Sequence, residues 1–146
     1  MSVKIIGYTT GVFDMFHIGH LNLLKKAKLN CDYLIVGVSS DELVNDYKNK
    51  LPVIPLEHRL EIVSELKCVD EVVIQTDRDK LKAFHKIGFD VMFVGSDWKG
   101  DPLWVELEHE LAKYDARVEY FQYTNNVSST KFTEILQSIQ DSDKGL

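Results

Sequence analysis

Apolar residues fall along the chain in two alternating patterns. Short runs at 5–9, 33–38, 69–74, 90–94 and 117–121 read as strands, and 33–38 (Tyr-Leu-Ile-Val-Gly-Val) is apolar throughout, as expected of a strand covered on both faces. Between them lie segments with helical spacing. Residues 21–28 follow the first run, and Ser39-Ser40-Asp41-Glu42 offers an N-cap and first-turn acids to a brief helix ending near Tyr47. Residues 56–67 carry Leu60, Ile62, Val63 and Leu66 on a helical period after Pro55. Residues 77–87 place Leu81, Phe84 and Ile87 inward and stop at Gly88. Residues 104–114 and 128–140 complete the set. Strands alternating with helices, joined by right-handed crossovers, predict an α/β fold: one Rossmann-like domain over 1–140, with a five-stranded parallel sheet and helices on both faces. Residues 141–146 read as a polar tail.

The first strand runs into Thr10-Gly11-Val12-Phe13-Asp14-Met15-Phe16-His17-Ile18-Gly19-His20, which opens the first helix. The C-terminal edge of a parallel sheet is where α/β proteins bind ligands, because loop amides and helix N-termini converge there. His17 and His20 are three apart, so their side chains share a helix face. Beside free backbone N–H groups and the positive end of a helix dipole, two imidazoles make a trap for anions. Gly11 and Gly19 are expected to let the backbone come close to a ligand. The simpler reading is that the histidines cap the helix.

Composition narrows the field. The 146 residues suit one domain, and 45% hydrophobic with 27% charged residues is ordinary for a globular protein. No apolar run reaches the roughly 18 residues of a membrane span and no signal peptide is evident, so a cytoplasmic location is expected. Cys31 and Cys68 stand alone and read as reduced thiols. A net charge of −6, with no basic block beyond Lys25-Lys26-Ala27-Lys28, argues against a nucleic-acid surface.

Other loops at the same sheet edge should face the first motif. Lys48 and Lys50 lie in 48–55, a loop by its two prolines; alternation in an extended segment would put both ammonium groups on one side, where they could close over a polyphosphate. Arg59 has no acid three or four residues away, leaving a phosphate, an acid on another element or solvent as its partner. Before the last helix, Thr124-Asn125-Asn126-Val127-Ser128-Ser129-Thr130-Lys131 supplies three successive hydroxyls where one N-cap would suffice, so a second helix start is expected to donate to a phosphate chain.

Gly-Val-Phe-Asp-Met-Phe-His-Ile-Gly-His resembles the G-x-F-D-x-x-H-x-G-H signature of the HIGH-motif nucleotidyltransferase superfamily. Glu57-His58-Arg59, Val69-Asp70-Glu71-Val72, Gly95-Ser96-Asp97-Trp98 and Val127-Ser128-Ser129-Thr130 follow in the order seen in glycerol-3-phosphate cytidylyltransferases, and the similarity covers roughly residues 4–138. The resemblance implies transfer of CMP from CTP to a small phosphorylated alcohol, with Mg²⁺ accompanying the triphosphate and a homodimer as the assembly. It implies that Val12, Phe13, His17 and His20 contact the nucleotide, that Asp14 helps orient the histidines, and that Lys48 and Lys80 hold the phosphorylated alcohol. Lys50 and the segment holding Tyr123, Thr124, Val127, Ser128, Ser129 and Thr130 would serve the triphosphate and base, with Asp97 and Trp98 bordering the site.

Two departures stand out: Tyr123 and Lys67 occupy positions where the family has arginine, and Asn126 replaces a glycine. Residues 52–57 and 128–130 also resemble adenylyltransferases of the same superfamily acting on heptose phosphate or flavin mononucleotide. A nucleotide-binding domain without catalysis is the reading from a different class, favoured by Tyr123 and opposed by the two histidines.

Overall fold

The computed structural model describes residues 4–122 and Gln137. The predicted helix 128–140 and tail 141–146 therefore lie outside the described residues, Gln137 apart. Eleven elements follow in order: β1 (Ile6–Gly11), α1 (Ile18–Leu29), β2 (Tyr33–Ser39), α2 (Asp41–Lys48), α3 (Leu56–Ser64), β3 (Glu71–Gln75), α4 (Lys80–Ile87), β4 (Val91–Gly95), a single 3-10 turn (Ser96–Trp98), α5 (Pro102–Ala112) and β5 (Arg117–Phe121).

The five strands form one sheet in the order β3-β2-β1-β4-β5, with every pairing parallel. Alternation along β2 divides the core. Leu34, Val36 and Val38 point to a layer with Leu24 and Ala27 of α1 and Val63 of α3. Ile35 points to the other face, where Tyr8, Phe89, Met92 and Leu111 pack with Ala83 and Phe84 of α4. Helices thus cover both faces, which is why β2 carries no polar alternation.

The chain builds outward from β1 to β3, then crosses back to place β4 on the other side of β1. The C-terminal ends of β1 and β4 therefore flank the topological switch point, where connections diverge and leave a crevice. Local chemistry sets the elements around it. Ser40 caps α2 by accepting from Leu43 N, Asp79 caps α4 through Leu81 N and Lys82 N, and Asp101 caps α5 ahead of Pro102.

Boundaries shift where these caps act. The helix expected over 77–87 starts at Lys80, because Asp77 accepts from Asp79 N and turns the chain before Asp79 caps it. The helix expected over 104–114 begins at Pro102, and α3 ends at Ser64, with Leu66 N closing onto Val63 O in a turn that still packs Leu66 on the core.

Candidate active site

At the switch point the β1–α1 loop adopts an unusual path. Phe13 and Met15 take left-handed backbone angles, φ 55° and 47°, a conformation that costs a non-glycine residue about 1–3 kcal/mol and persists only where its surroundings enforce it. Enforcement comes from both sides of Asp14. Phe13 is buried, against Phe16 and the edge of His20. Its ring folds back over Gly11, where a Cβ would stand 2.9 Å from ring carbons, so Gly11 makes room for Phe13 as well as lining the crevice.

Asp14 accepts from Val53 N at 2.8 Å and Ile54 N at 2.9 Å, tying the β1–α1 loop to the lysine-bearing loop before α3. Its charge is also felt at His20.

His17 is the N-cap of α1. Its Nδ1 accepts from Gly19 N at 3.0 Å, while His20 Nδ1 accepts from His17 N at 3.2 Å, a capping box in which imidazoles replace the usual hydroxyl and carboxylate. The rings stack at 3.9 Å. A neutral imidazole whose Nδ1 accepts carries its proton on Nε2, so both rings present an Nε2–H donor. The neutral form is enforced as well. Burial lowers the His17 pKa, and burial, then the His17 charge, lowers His20 to about 4 against the pull of Asp14. The capping reading of the pair holds, and it engages Nδ1 of each ring.

A cavity of about 840 Å³ opens at the switch point, lined among others by Thr10, Gly11, Val12, Lys48, Lys80 and Trp98. Lys80, at the first position of α4, donates from Nζ to Thr10 Oγ1 at 3.3 Å. Burial, then the neighbouring Arg78 charge, lowers its pKa to about 8, against Asp77 and Asp79. Lys48 is exposed as a residue, yet its ammonium loses hydration, which together with the Lys50 charge lowers its pKa. The expected extended alternation of Lys48 and Lys50 does not occur: Lys48 is the last residue of α2 and Asn49 turns left-handed, φ 55°. Lys50 stays close enough for Lys48 to feel its charge. Trp98 sits in the 3-10 turn 6.3 Å from Trp104, and Asp97 beside it is exposed. His17, His20, Lys50 and Asp97 do not line this cavity.

Arg59 is a correction to the expected phosphate contact. It is 1% exposed and its guanidinium is engaged inside the protein: Nε donates to Ile54 O, Nη1 to Val12 O and Ser39 O, and Nη2 to Asp41. A group so enclosed by carbonyls and a carboxylate does not reach a phosphate chain. The partner Asp41 comes from α2, eighteen residues away, out of reach of any helical-spacing rule. Tyr123, Thr124, Val127, Ser128, Ser129 and Thr130 lie outside the described residues.

Sequence reasoning passed over Arg78. It lines the cavity with its guanidinium 4.6 Å above the Tyr47 ring. The available signal was its place, two residues before Lys80 in a loop at the same sheet edge.

Among the described residues no helix is long and apolar enough to cross a membrane, and no three of His, Cys, Asp and Glu gather as a metal cage.

A cytidylyltransferase-like family model matches residues 8–135. A glycerol-3-phosphate cytidylyltransferase of Bacillus spizizenii is 35% identical over 93% of this chain and 98% of its own length. An FAD synthase of Thermococcus sibiricus is 32% identical over 93% of both chains. Among solved structures, a lipopolysaccharide core biosynthesis protein of Thermoplasma volcanium superposes with a TM-score of 0.69 at 31% identity, over 84% of this chain and 98% of that one. With the family model covering most of the chain and the capped histidine pair standing at the head of α1, the protein belongs to the cytidylyltransferase-like family.

Proposed function

We propose that the protein is a cytidylyltransferase that moves CMP from CTP to glycerol 3-phosphate, forming CDP-glycerol and releasing pyrophosphate. The observation that carries the reaction type is the histidine pair, two stacked rings at a helix start whose Nδ1 atoms are held by backbone amides, so that each ring carries its proton on Nε2. The relative of 35% identity over nearly its full length supports the base and acceptor.

The chemistry needs no general base. A phosphate monoester has its second pKa near 6 and is already an anionic nucleophile at neutral pH. One of its oxygens attacks the α-phosphorus; the bond from that phosphorus to the bridging oxygen breaks, and pyrophosphate leaves with the electron pair. Such a transfer depends on alignment and charge neutralisation. His17 and His20 donate to α- and β-phosphate oxygens as charge grows there. Lys48 and Lys80 hold the acceptor phosphate, Lys50 and residues 123–130 serve the triphosphate, and Asp14 holds the two loops in register. Mg²⁺ commonly keeps its waters and binds through substrate phosphates, so it would travel with the triphosphate. A cytoplasmic location and a homodimer go with this reading, the latter tested by sedimentation.

The test is pyrophosphate release from CTP and from ATP over a panel of phosphorylated alcohols, sugar phosphates and flavin mononucleotide. The expected result is turnover with CTP and glycerol 3-phosphate. ATP with flavin mononucleotide is the second reading, favoured by the FAD synthase relative at 32% identity, and turnover of that pair alone would replace the first.

A further inference from the structure

Lys48, Arg78 and Lys80 bring three cations to one wall of the cavity, contributed by α2, by the loop between β3 and α4, and by the start of α4. Lys80 is seated on Thr10 and Arg78 on Tyr47: the guanidinium carbon lies 4.6 Å from the centre of the Tyr47 ring, and Lys48 Nζ lies 5.8 Å from the same ring. The acids beside it in sequence are occupied. Asp77 accepts from Asp79 N and Lys82 Nζ, and Asp79 caps α4. Among the described residues no carboxylate pairs with Arg78.

We propose that Arg78 is a specificity-determining residue of the acceptor pocket, admitting phosphorylated polyols and turning away phosphorylated alcohols that carry an ammonium group. The proposal rests on the cytidylyltransferase reading above and names the acceptor class.

Two physical effects carry it. An ammonium ligand is recognised by the open face of an aromatic ring, and here the face of Tyr47 is covered by a guanidinium of the protein's own. Placing a like charge beside Arg78, Lys48 and Lys80 is then a repulsive element against the wrong acceptor. A hydroxyl presents lone pairs instead, and the planar guanidinium offers several N–H donors in a fixed fork. Of the acids that line the cavity, Asp79 is engaged by Leu81 N and Lys82 N as the cap of α4, and Asp101, Glu106 and Glu110 belong to α5 and its cap, which follow β4; Asp101 is engaged by Leu103 N and Glu110 by Lys113 Nζ. Trp98 and Trp104 line the cavity from the 3-10 turn and α5, and Tyr47 is the ring that lies beside Lys48 and Arg78.

The experiment compares glycerol 3-phosphate with phosphoethanolamine in the full chain, at saturating CTP, for the wild type, Arg78→Gln and Arg78→Lys. Arg78 is exposed, so both variants are expected to fold, which a thermal melt checks. Arg78→Gln should raise KM for glycerol 3-phosphate about tenfold, leave KM for CTP unchanged, and shrink the preference for glycerol 3-phosphate by about tenfold or more. Arg78→Lys, which keeps the charge, should retain most of the preference. A preference in Arg78→Gln within about twofold of wild type overturns the role of Arg78 and leaves the reaction standing. Binding of the two acceptors, followed by the fluorescence of Trp98 and Trp104 in the cavity, reads the same preference without turnover. A wild type that discriminates in binding but releases no pyrophosphate with any nucleotide overturns the reaction and leaves Arg78 in place.

Discussion

Asp14 and Arg59 hold opposite ends of one residue: Asp14 accepts the Ile54 N–H at 2.9 Å, and Arg59 Nε donates to the Ile54 carbonyl at 2.8 Å. Arg59 also reaches Val12 O at 2.7 Å, so the β1–α1 loop and the loop before α3 are closed into a ring through these two side chains. The left-handed Phe13 lies inside that ring and the left-handed Met15 directly follows it, which explains how the strain at Phe13 is kept. Arg59 therefore positions the loops that carry the histidines and lysines.

Arg59→Leu leaves the carbonyls of Val12, Ser39 and Ile54 without this donor and Asp41 without its cation. Breaking a buried ion pair from one side costs about 3–5 kcal/mol; because the Asp41 side chain is 29% exposed and can take water, about 2–4 kcal/mol is expected here. Arg59→Lys should recover only part of it, since one ammonium cannot reproduce a fork with four acceptors. Urea unfolding of both variants checks this, and an Arg59→Lys midpoint equal to wild type would refute the clamp.

His17→Ala and His20→Ala should each lower kcat by about 10²–10³, the scale for losing one donor to transition-state charge. The fold should persist, because each loses one bond of the α1 capping box, a loss of about 1 kcal/mol. Pyrophosphate release alongside circular dichroism separates the two effects, and a variant with near-normal kcat would remove the imidazole from the mechanism.

Stability should fall on acidification before the carboxylates dominate. His20 has its pKa lowered from 6.5 to about 4 in the folded protein. Above the ordinary value both states hold it neutral. As pH drops from 6.5 toward 4 the unfolded chain takes up a proton that the native state refuses, so stability is lost across that window, on the order of 3 kcal/mol in full. His20→Gln should flatten the slope of unfolding free energy between pH 6.5 and about 5. An unchanged slope in that variant would show that His20 is not the group titrating.

The fold was legible because its determinants are local in sequence: apolar runs long enough to be strands, helical periods between them, and caps such as Ser40 that a sequence displays openly. The histidine pair was legible for the same reason, since both members lie within one helical turn. Arg59 was not. Its environment is made by Val12, Ser39 and Asp41, residues 47, 20 and 18 positions away, and nothing in the sequence distinguishes a guanidinium that meets phosphate from one that meets three carbonyls and an acid. Arg78 escaped because its significance lies in a ring contributed by another helix, and the 48–55 loop misled because a left-handed Asn49 breaks the alternation assumed for it.

Acceptor binding should weaken as pH rises through about 8, the value to which burial and the Arg78 charge bring the Lys80 ammonium. The sign follows from what each state holds. Below that pH Lys80 is charged and its attraction for a phosphate dianion is complete. Above it the free enzyme has released the proton, and binding the dianion must draw one back from solvent, so KM climbs by up to about tenfold per pH unit until the bound-state pKa is reached. Glycerol 3-phosphate is a dianion throughout this range, and the histidines are neutral in it, so neither masks the trend. Lys80→Arg carries a charge that does not titrate; its KM should rise less steeply from pH 7 to 9.5, the remaining slope belonging to Lys48, whose pKa is also lowered, even if KM is higher at the outset because the bond to Thr10 Oγ1 is re-formed from a different reach. Steady-state KM for glycerol 3-phosphate at saturating CTP, in wild type and variant, decides the matter: a wild-type KM that stays level across pH 8 means that the ammonium beside Thr10 is not what holds the acceptor.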